Sequence, residues 1–271
     1  MTLKQNYVGI EFDYQQVQKN LKDITEIAGS FLDPASVGVL RQCGMDLSSI
    51  KNSRASEVHY WSIKQDRPVR TLESRGEYRA SDKRNGRSVY ALFSFSWGIK
   101  NTNRNGCNRT FTLIDEATTS IRIMDKETSD LVALWQMEIG DASSPGCHFH
   151  ASMTERNDKP KTTPTENEIT EEKYPATEKL FPEWLKVPRL PSLIVTPFDA
   201  LEFLLCELFQ RRWPQVVSQS NYHVFSWSRS QNDRLCRLLS WKLEVLRDSQ
   251  NGGWSALKRA KPSNAQMFIG S

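Results

Sequence analysis

Ser88-Val89-Tyr90-Ala91-Leu92-Phe93-Ser94-Phe95-Ser96-Trp97-Gly98-Ile99-Lys100 repeats with a period of two. Val89, Ala91, Phe93, Phe95, Trp97 and Ile99 share one side and Ser94 and Ser96 take the other, as in a strand with one face in a core and one in water. Asn85-Gly86 precedes it, a dipeptide suited to a hairpin turn because both residues tolerate positive φ. Residues 71–80 are therefore expected as the antiparallel partner.

The same period continues downstream in Phe111 and Leu113, in Ile121 and Ile123, and in Leu131, Ala133, Trp135, Met137 and Ile139. Polar turns at 115–119 and 126–130 separate these runs, and connections that short hold no crossover helix. An antiparallel meander of about five or six strands follows.

The flanks read as helices. Val17, Leu21, Ile24, Ala28 and Phe31 recur at helical spacing after Asp13 as N-cap, and Asp33-Pro34 ends that run. A second helix is expected from Pro34 toward Met45, with Gly44 as its stop. Further on, Thr196-Pro197-Phe198-Asp199 starts a helix whose stripe is Phe198, Leu201, Leu205, Leu208 and Phe209, and Trp213-Pro214 is expected to end it. A last helix is expected from about Ser230, carrying Leu235, Leu238, Leu239 and Leu246, before the stop signal Asn251-Gly252-Gly253. The expected fold class is α+β, with the N-terminal helix and two C-terminal helices packed on the meander. It is expected as a single domain, 1–271. Its parts are an N-terminal helical segment (1–56), the meander (57–153), a charged loop rich in Pro, Thr and Glu (154–187), and C-terminal helices with a tail (188–271).

Composition bounds the function classes. The hydrophobic fraction of 38% and charged fraction of 25% suit a globular chain and exclude wholesale disorder. Lys and Arg number 36 against 32 Asp and Glu, a mildly basic balance that permits nucleic-acid contact without demanding it. The 5 cysteines are odd in number and hold no C-x-x-C pair, which argues for reduced thiols in a cytoplasmic protein. No run is long and apolar enough to span a bilayer, the first residues carry no export signal, and Thr2 is not the Gly of a myristoylation site. The phosphate loop, the dinucleotide fingerprint, the hydrolase elbow and H-E-x-x-H are all missing.

The string Pro145-Gly146-Cys147-His148-Phe149-His150 holds the densest chemistry. In an extended chain His148 and His150 leave the same face and Phe149 the other, so two imidazoles can share one divalent metal, with Glu155 adding a carboxylate. The spacing His148-x-His150-x4-Glu155 is similar to the first metal motif of the cupins, a β-barrel family with two His and a Glu there. The likeness covers eight residues. Ala142 stands where that motif has Gly, no Gly follows Glu155, and His223 lacks the surroundings of the family's second motif, so the chain is not assigned to it. The plainer alternative has both rings hydrogen-bonded at a strand start around a core Phe149. A metal enzyme would draw on His59, His148, His150 and His223 alone.

Three further readings attach to this region and its neighbours. Cys147 beside His148 is a candidate nucleophile, and Glu138 and Asp141 are candidate general bases, Glu138 being expected to lie on the face opposite Trp135 and Met137 with Arg122 or His148 as partner. Arg75, Arg79, Arg84 and Arg87, near Tyr78 and Tyr90, form a candidate nucleic-acid patch on the hairpin, although Lys and Arg also guard exposed sheet edges. Of the 8 tryptophans most are expected in the core, with Trp184 and Trp254 as candidate partner contacts. Without a complete catalytic set, the chain reads as a ligand- or partner-binding protein, alone or as part of a complex, that uses 145–150 for recognition. The alternatives are a metal-dependent hydrolytic or oxidative enzyme built on His148 and His150, and a nucleic-acid-binding accessory protein.

Overall fold

The computed structural model describes residues 10–54, 57–79, 86–104, 107–114, 117–141, 144–153, 190–192, 194, 196–248, 253 and 256–257. The helices are α1 (Tyr14–Ala28), α2 (Pro34–Lys51), α3 (Pro197–Leu208), α4 (Arg212–Val217) and α5 (Tyr222–Asp248). The strands are β1 (Glu11–Asp13), β2 (Val58–Ile63), β3 (Val69–Arg70), β4 (Val89–Arg104), β5 (Cys107–Leu113), β6 (Ala117–Asp125), β7 (Leu131–Asp141), β8 (Ser144–Met153) and β9 (Leu190–Pro191). Every described pairing is antiparallel, and the sheet runs β1-β5-β4-β6-β7-β8-β9 with β2 and β3 on the other edge of β4. The fold is α+β, and the longer strands β2 and β4 to β8 form the expected antiparallel sheet.

The strand β4 is the axis of the sheet. Its first half pairs with β6 and its second half with β5, so the chain from β5 into β6 runs back along the whole of β4. On the opposite edge, residues 71–80 accompany β4 less regularly than the hairpin signal implies. Only Val69 and Arg70 form a strand there, Thr71 N–H donates to Ala91 O at 3.0 Å, Ser74 N–H donates to Val89 O at 2.8 Å, and Tyr78 bridges Arg87. Arg75 and Arg79 both have φ of 53°, and these left-handed turns break the ladder. The regular partner is β2, in register from Val58↔Lys100 to Ile63↔Phe95.

All six apolar residues of β4 read from its alternation are buried, and the helices pack over them. Trp61 meets Phe95 and Phe198 at ring separations of 4.9 and 5.8 Å, which joins β2, β4 and α3 in one aromatic cluster. Trp61 Nε1 donates to Cys43 O at 3.0 Å, so its polar atom is satisfied by α2. The described tryptophans 61, 97, 135, 213, 227 and 241 are all buried; Trp184 and Trp254 lie outside the described residues.

Helix α1 begins where expected, with Asp13 Oδ1 accepting from Gln16 N–H at 3.0 Å, and its buried stripe includes Val17, Leu21, Ile24 and Ala28. At α3 the capping box is complete, Thr196 Oγ1 accepting from Asp199 N–H and Asp199 accepting from Thr196 N–H. Three boundaries differ from expectation. Helix α2 continues through Gly44 to Lys51, because Gly44 serves close approach to Leu21 of α1, where a Cβ would lie 3.2 Å from Leu21 Cδ2, and does not stop the helix. Pro214 sits in the first turn of α4, where its missing N–H costs no helical bond, so Trp213-Pro214 opens a short helix rather than closing the chain's path. Helix α5 starts at Tyr222, earlier than Ser230, with Asn221 Oδ1 accepting from His223 N–H at 2.8 Å.

That earlier start is what docks α5 on α1. Asp23 is 1% exposed and accepts from His223 Nδ1 at 2.7 Å and from Ser226 Oγ at 2.5 Å. Gln16 Nε2 donates to Ser230 Oγ at 2.8 Å. A buried carboxylate needs such partners to remain in the interior, so the contact is specific in register as well as apolar.

Candidate functional site

The alternation that buries one face of the sheet leaves hydrogen-bonding side chains on the other. In β6, Ala117, Thr119, Ile121 and Ile123 are buried while Thr118, Ser120 and Arg122 are half-buried; in β7, Ala133, Trp135, Met137 and Ile139 are buried while Gln136 and Glu138 are half-buried. Glu138 therefore lies opposite the core face, as its parity requires. Registers between strands align these residues in two adjacent rows. Ser94, Ser120, Gln136 and His150 form one; Ser96, Thr118, Glu138 and His148 form the next.

At the β7–β8 end of the rows, His150 Nε2 and Glu138 Oε2 lie 3.1 Å apart, with side chains 21% and 15% exposed. The strand period explains the meeting: His150 pairs across from Gln136, and Glu138 is two residues further along β7 on the same face, within diagonal reach. The partner expected for Glu138 was Arg122 or His148; the described partner is His150. Arg122 instead reaches across the face so that its Nη2 lies 3.4 Å from Gln65 O. Phe149 faces the other way, its ring 6.2 Å from Phe203 and 6.5 Å from Trp135, so the reading of His150 outward and Phe149 inward agrees with the structure.

His148 is in register with Glu138, Cys147 with Ile139, and Asp141 with Ser144. The register thus places Cys147 in a different row from His148. The side chains of Asp141, Cys147 and His148 lie outside the described set, and Glu155 and Arg84 lie outside the described residues altogether. Within the strand-end segment 145–150 expected for recognition, β9 pairs with β8 through His148↔Pro191 and Phe149↔Leu190.

The remaining described imidazoles are engaged separately. His59 Nε2 is 2.6 Å from Ser53 Oγ, and His223 holds Asp23. Among the described residues, no group of three or more His, Cys, Asp or Glu is placed to hold a metal ion. Glu138 and His150 can move a proton between them, or present an oxygen and a nitrogen to a polar ligand.

A groove of about 200 Å³ opens at the other end of the rows, beside β2, lined by Ser62, Lys64, Gln65, Ser94, Ser96 and Thr118 among others. The cationic hairpin patch is less free than its sequence suggests. Arg87 Nη2 pairs with Asp125 Oδ2 at 2.9 Å, and the Arg79 guanidinium lies 5.2 Å from the Tyr78 ring. Arg75 is exposed at the turn. The hydroxyl rows are visible in the sequence as alternation, but their alignment across strands required the registers. No helix among the described residues is long and apolar enough to cross a membrane. The chain has no significant match among protein-family models, curated proteins or solved structures.

Proposed function

We propose that the chain is a binding protein that recognises a polar ligand or partner surface on the open face of its sheet, centred on Glu138 and His150 and continuing to the strand end at 145–150. The contact between His150 Nε2 and Glu138 Oε2 at 3.1 Å carries this reading, because it places an acceptor and a ring nitrogen together on the solvent side of two aligned rows of hydroxyl and amide groups. A row of short polar side chains on a rigid antiparallel sheet is preorganised, so little side-chain entropy is lost when a partner settles on it. The reading includes a cytoplasmic setting, supported by 5 cysteines without a C-x-x-C pair.

Comparative co-purification tests it. Glu138→Gln and His150→Ala are expected to fold as the parent does and to lose a companion that the parent retains in stoichiometric amount. Retention of the same companions by all three proteins would reject the site.

A second reading, a metal-dependent enzyme, is favoured by the register that sets His148 across from Glu138 and two residues from His150. Elemental analysis after loading with zinc, manganese or iron decides it. Stoichiometric metal in the parent, lost in His148→Ala with His150→Ala, supports the enzyme; an empty parent rejects it.

A further inference from the structure

We propose that the cleft between α1 and α5, separate from the sheet face, binds a phosphomonoester of about mononucleotide size. The cleft is half open and has a volume of about 470 Å³, within the range of small-molecule sites and larger than an inorganic anion alone would fill. Lys19 from α1 and Arg229, Arg234 and Arg237 from α5 line it, and Asp233 is the one acid among the described lining residues, with Asp199 and Asp23 lying behind Arg234 and Ser226. Asp233 is already engaged, its Oδ2 lying 3.1 Å from Arg237 Nε.

The four cations differ in how far their own neighbours satisfy them. Arg234 is 8% exposed and pairs with Asp199 through Nε and Nη2, yet its Nη1 is buried with no hydrogen-bond partner among the described residues. Arg229 is exposed and makes no ion pair among the described residues. Lys19 is exposed and its Nζ donates to the hydroxyl of Ser226 at 2.5 Å, with the Asp23 carboxylate one hydrogen bond further on, so it has no direct ion pair among the described residues. A guanidinium withdrawn from water with donors to spare, beside two further cations, is completed by a multivalent oxyanion.

The shape selects among anions. These cations line one half-open cleft between two helices, a compact site that suits a small dianion better than a polymer backbone. Next to them the cleft has an apolar part, Phe12 and Val17, together with the hydroxyl of Ser230 and the amide of Asn232, which can hold an organic group by packing and hydrogen bonds.

Isothermal titration at low salt with AMP, inorganic phosphate and adenosine tests the site on the full chain. AMP is expected to bind with saturable 1:1 heat, phosphate more weakly and adenosine more weakly still. Arg229→Gln, a change at an exposed and unpaired residue, and Lys19→Gln are each expected to weaken AMP by about tenfold, with circular dichroism matching the parent. Arg122→Gln and Glu138→Gln, on the sheet face, are expected to leave AMP affinity unchanged, so failure here is separable from failure of the sheet-face proposal. Absence of saturable heat with AMP and phosphate would overturn the inference. So would equal affinity for AMP and adenosine, full affinity in both cleft variants, or an equal loss in Arg122→Gln.

Discussion

Glu77 and Glu202 show how one side chain can stabilise or burden the fold according to its partners. Glu77 is 7% exposed; burial alone would raise its pKa, but N–H bonds from Arg211 and Arg212 and the Arg212 guanidinium outweigh burial and hold the carboxyl below the ordinary glutamate value. A lowered folded-state pKa means that the stabilisation is present above the unfolded value and fades as pH falls through the folded one. Glu77→Gln is therefore expected to cost roughly 2–3 kcal/mol at pH 7, and the deficit should shrink in acid. For Glu202 burial is the largest influence and the carboxyl is raised, despite the bonds it accepts from Trp227 and Gln231. Its ionised form is disfavoured in the fold, so Glu202→Gln, which keeps an acceptor for both donors, should leave the melting temperature unchanged or raised at neutral pH. Urea melts of both variants at pH 7 and pH 4 check the pair; a stabilised Glu77→Gln or a strongly destabilised Glu202→Gln at pH 7 would reject this account.

Among the elements, those with a complete local signature were readable and those defined by distant partners were not. The alternation of Val89 to Ile99 and the Asp13 and Thr196 caps are set within a few residues, and β4, α1 and α3 appear where those signals lie. The start of α5 is a different case. Its first turns mix buried Val224 and Trp227 with Tyr222 at 68% and Phe225 at 71% exposure, so the apolar stripe is blurred in the sequence, and their placement depends on Asp23, about 200 positions earlier. The same distance hid the α1–α5 cleft, whereas the outward parity of Glu138 and His150 was visible because the strand period is local. The α3 start adds a test at this scale. Thr196→Ala removes the hydroxyl that accepts from Asp199 N–H and donates to Asp199 Oδ2 and should cost about 1–2 kcal/mol, whereas Asp199→Ala also strands Arg234 in the interior and should cost about 3 kcal/mol or more. Denaturant midpoints would sink the scheme if Thr196→Ala proved the costlier change.

At the scale of the whole molecule, the buried apolar residues form one connected cluster that takes members from both ends of the chain. It runs from Ile10 and Phe12 through β4, β6 and β7 to Phe198 and Trp241. The first strand, β1, pairs with β5 in the sheet and leads straight into α1, which α5 clasps from the far end of the sequence. A core shared in this way gives neither the sheet nor the helices an independent interior, so loosening one should release the other. Unfolding is thus expected as a single transition, with far-UV circular dichroism and tryptophan fluorescence coincident in denaturant. Phe198 makes the test sharp, because it packs from α3 against Trp61 of β2 and Phe95 of β4, at the junction of helices and sheet. Phe198→Ala should cost about 3–5 kcal/mol and move both probes together by the same amount. If the helical signal melts first while tryptophan fluorescence stays native, the helical layer and the sheet are separate cooperative units, and the shared core does not bind them into one.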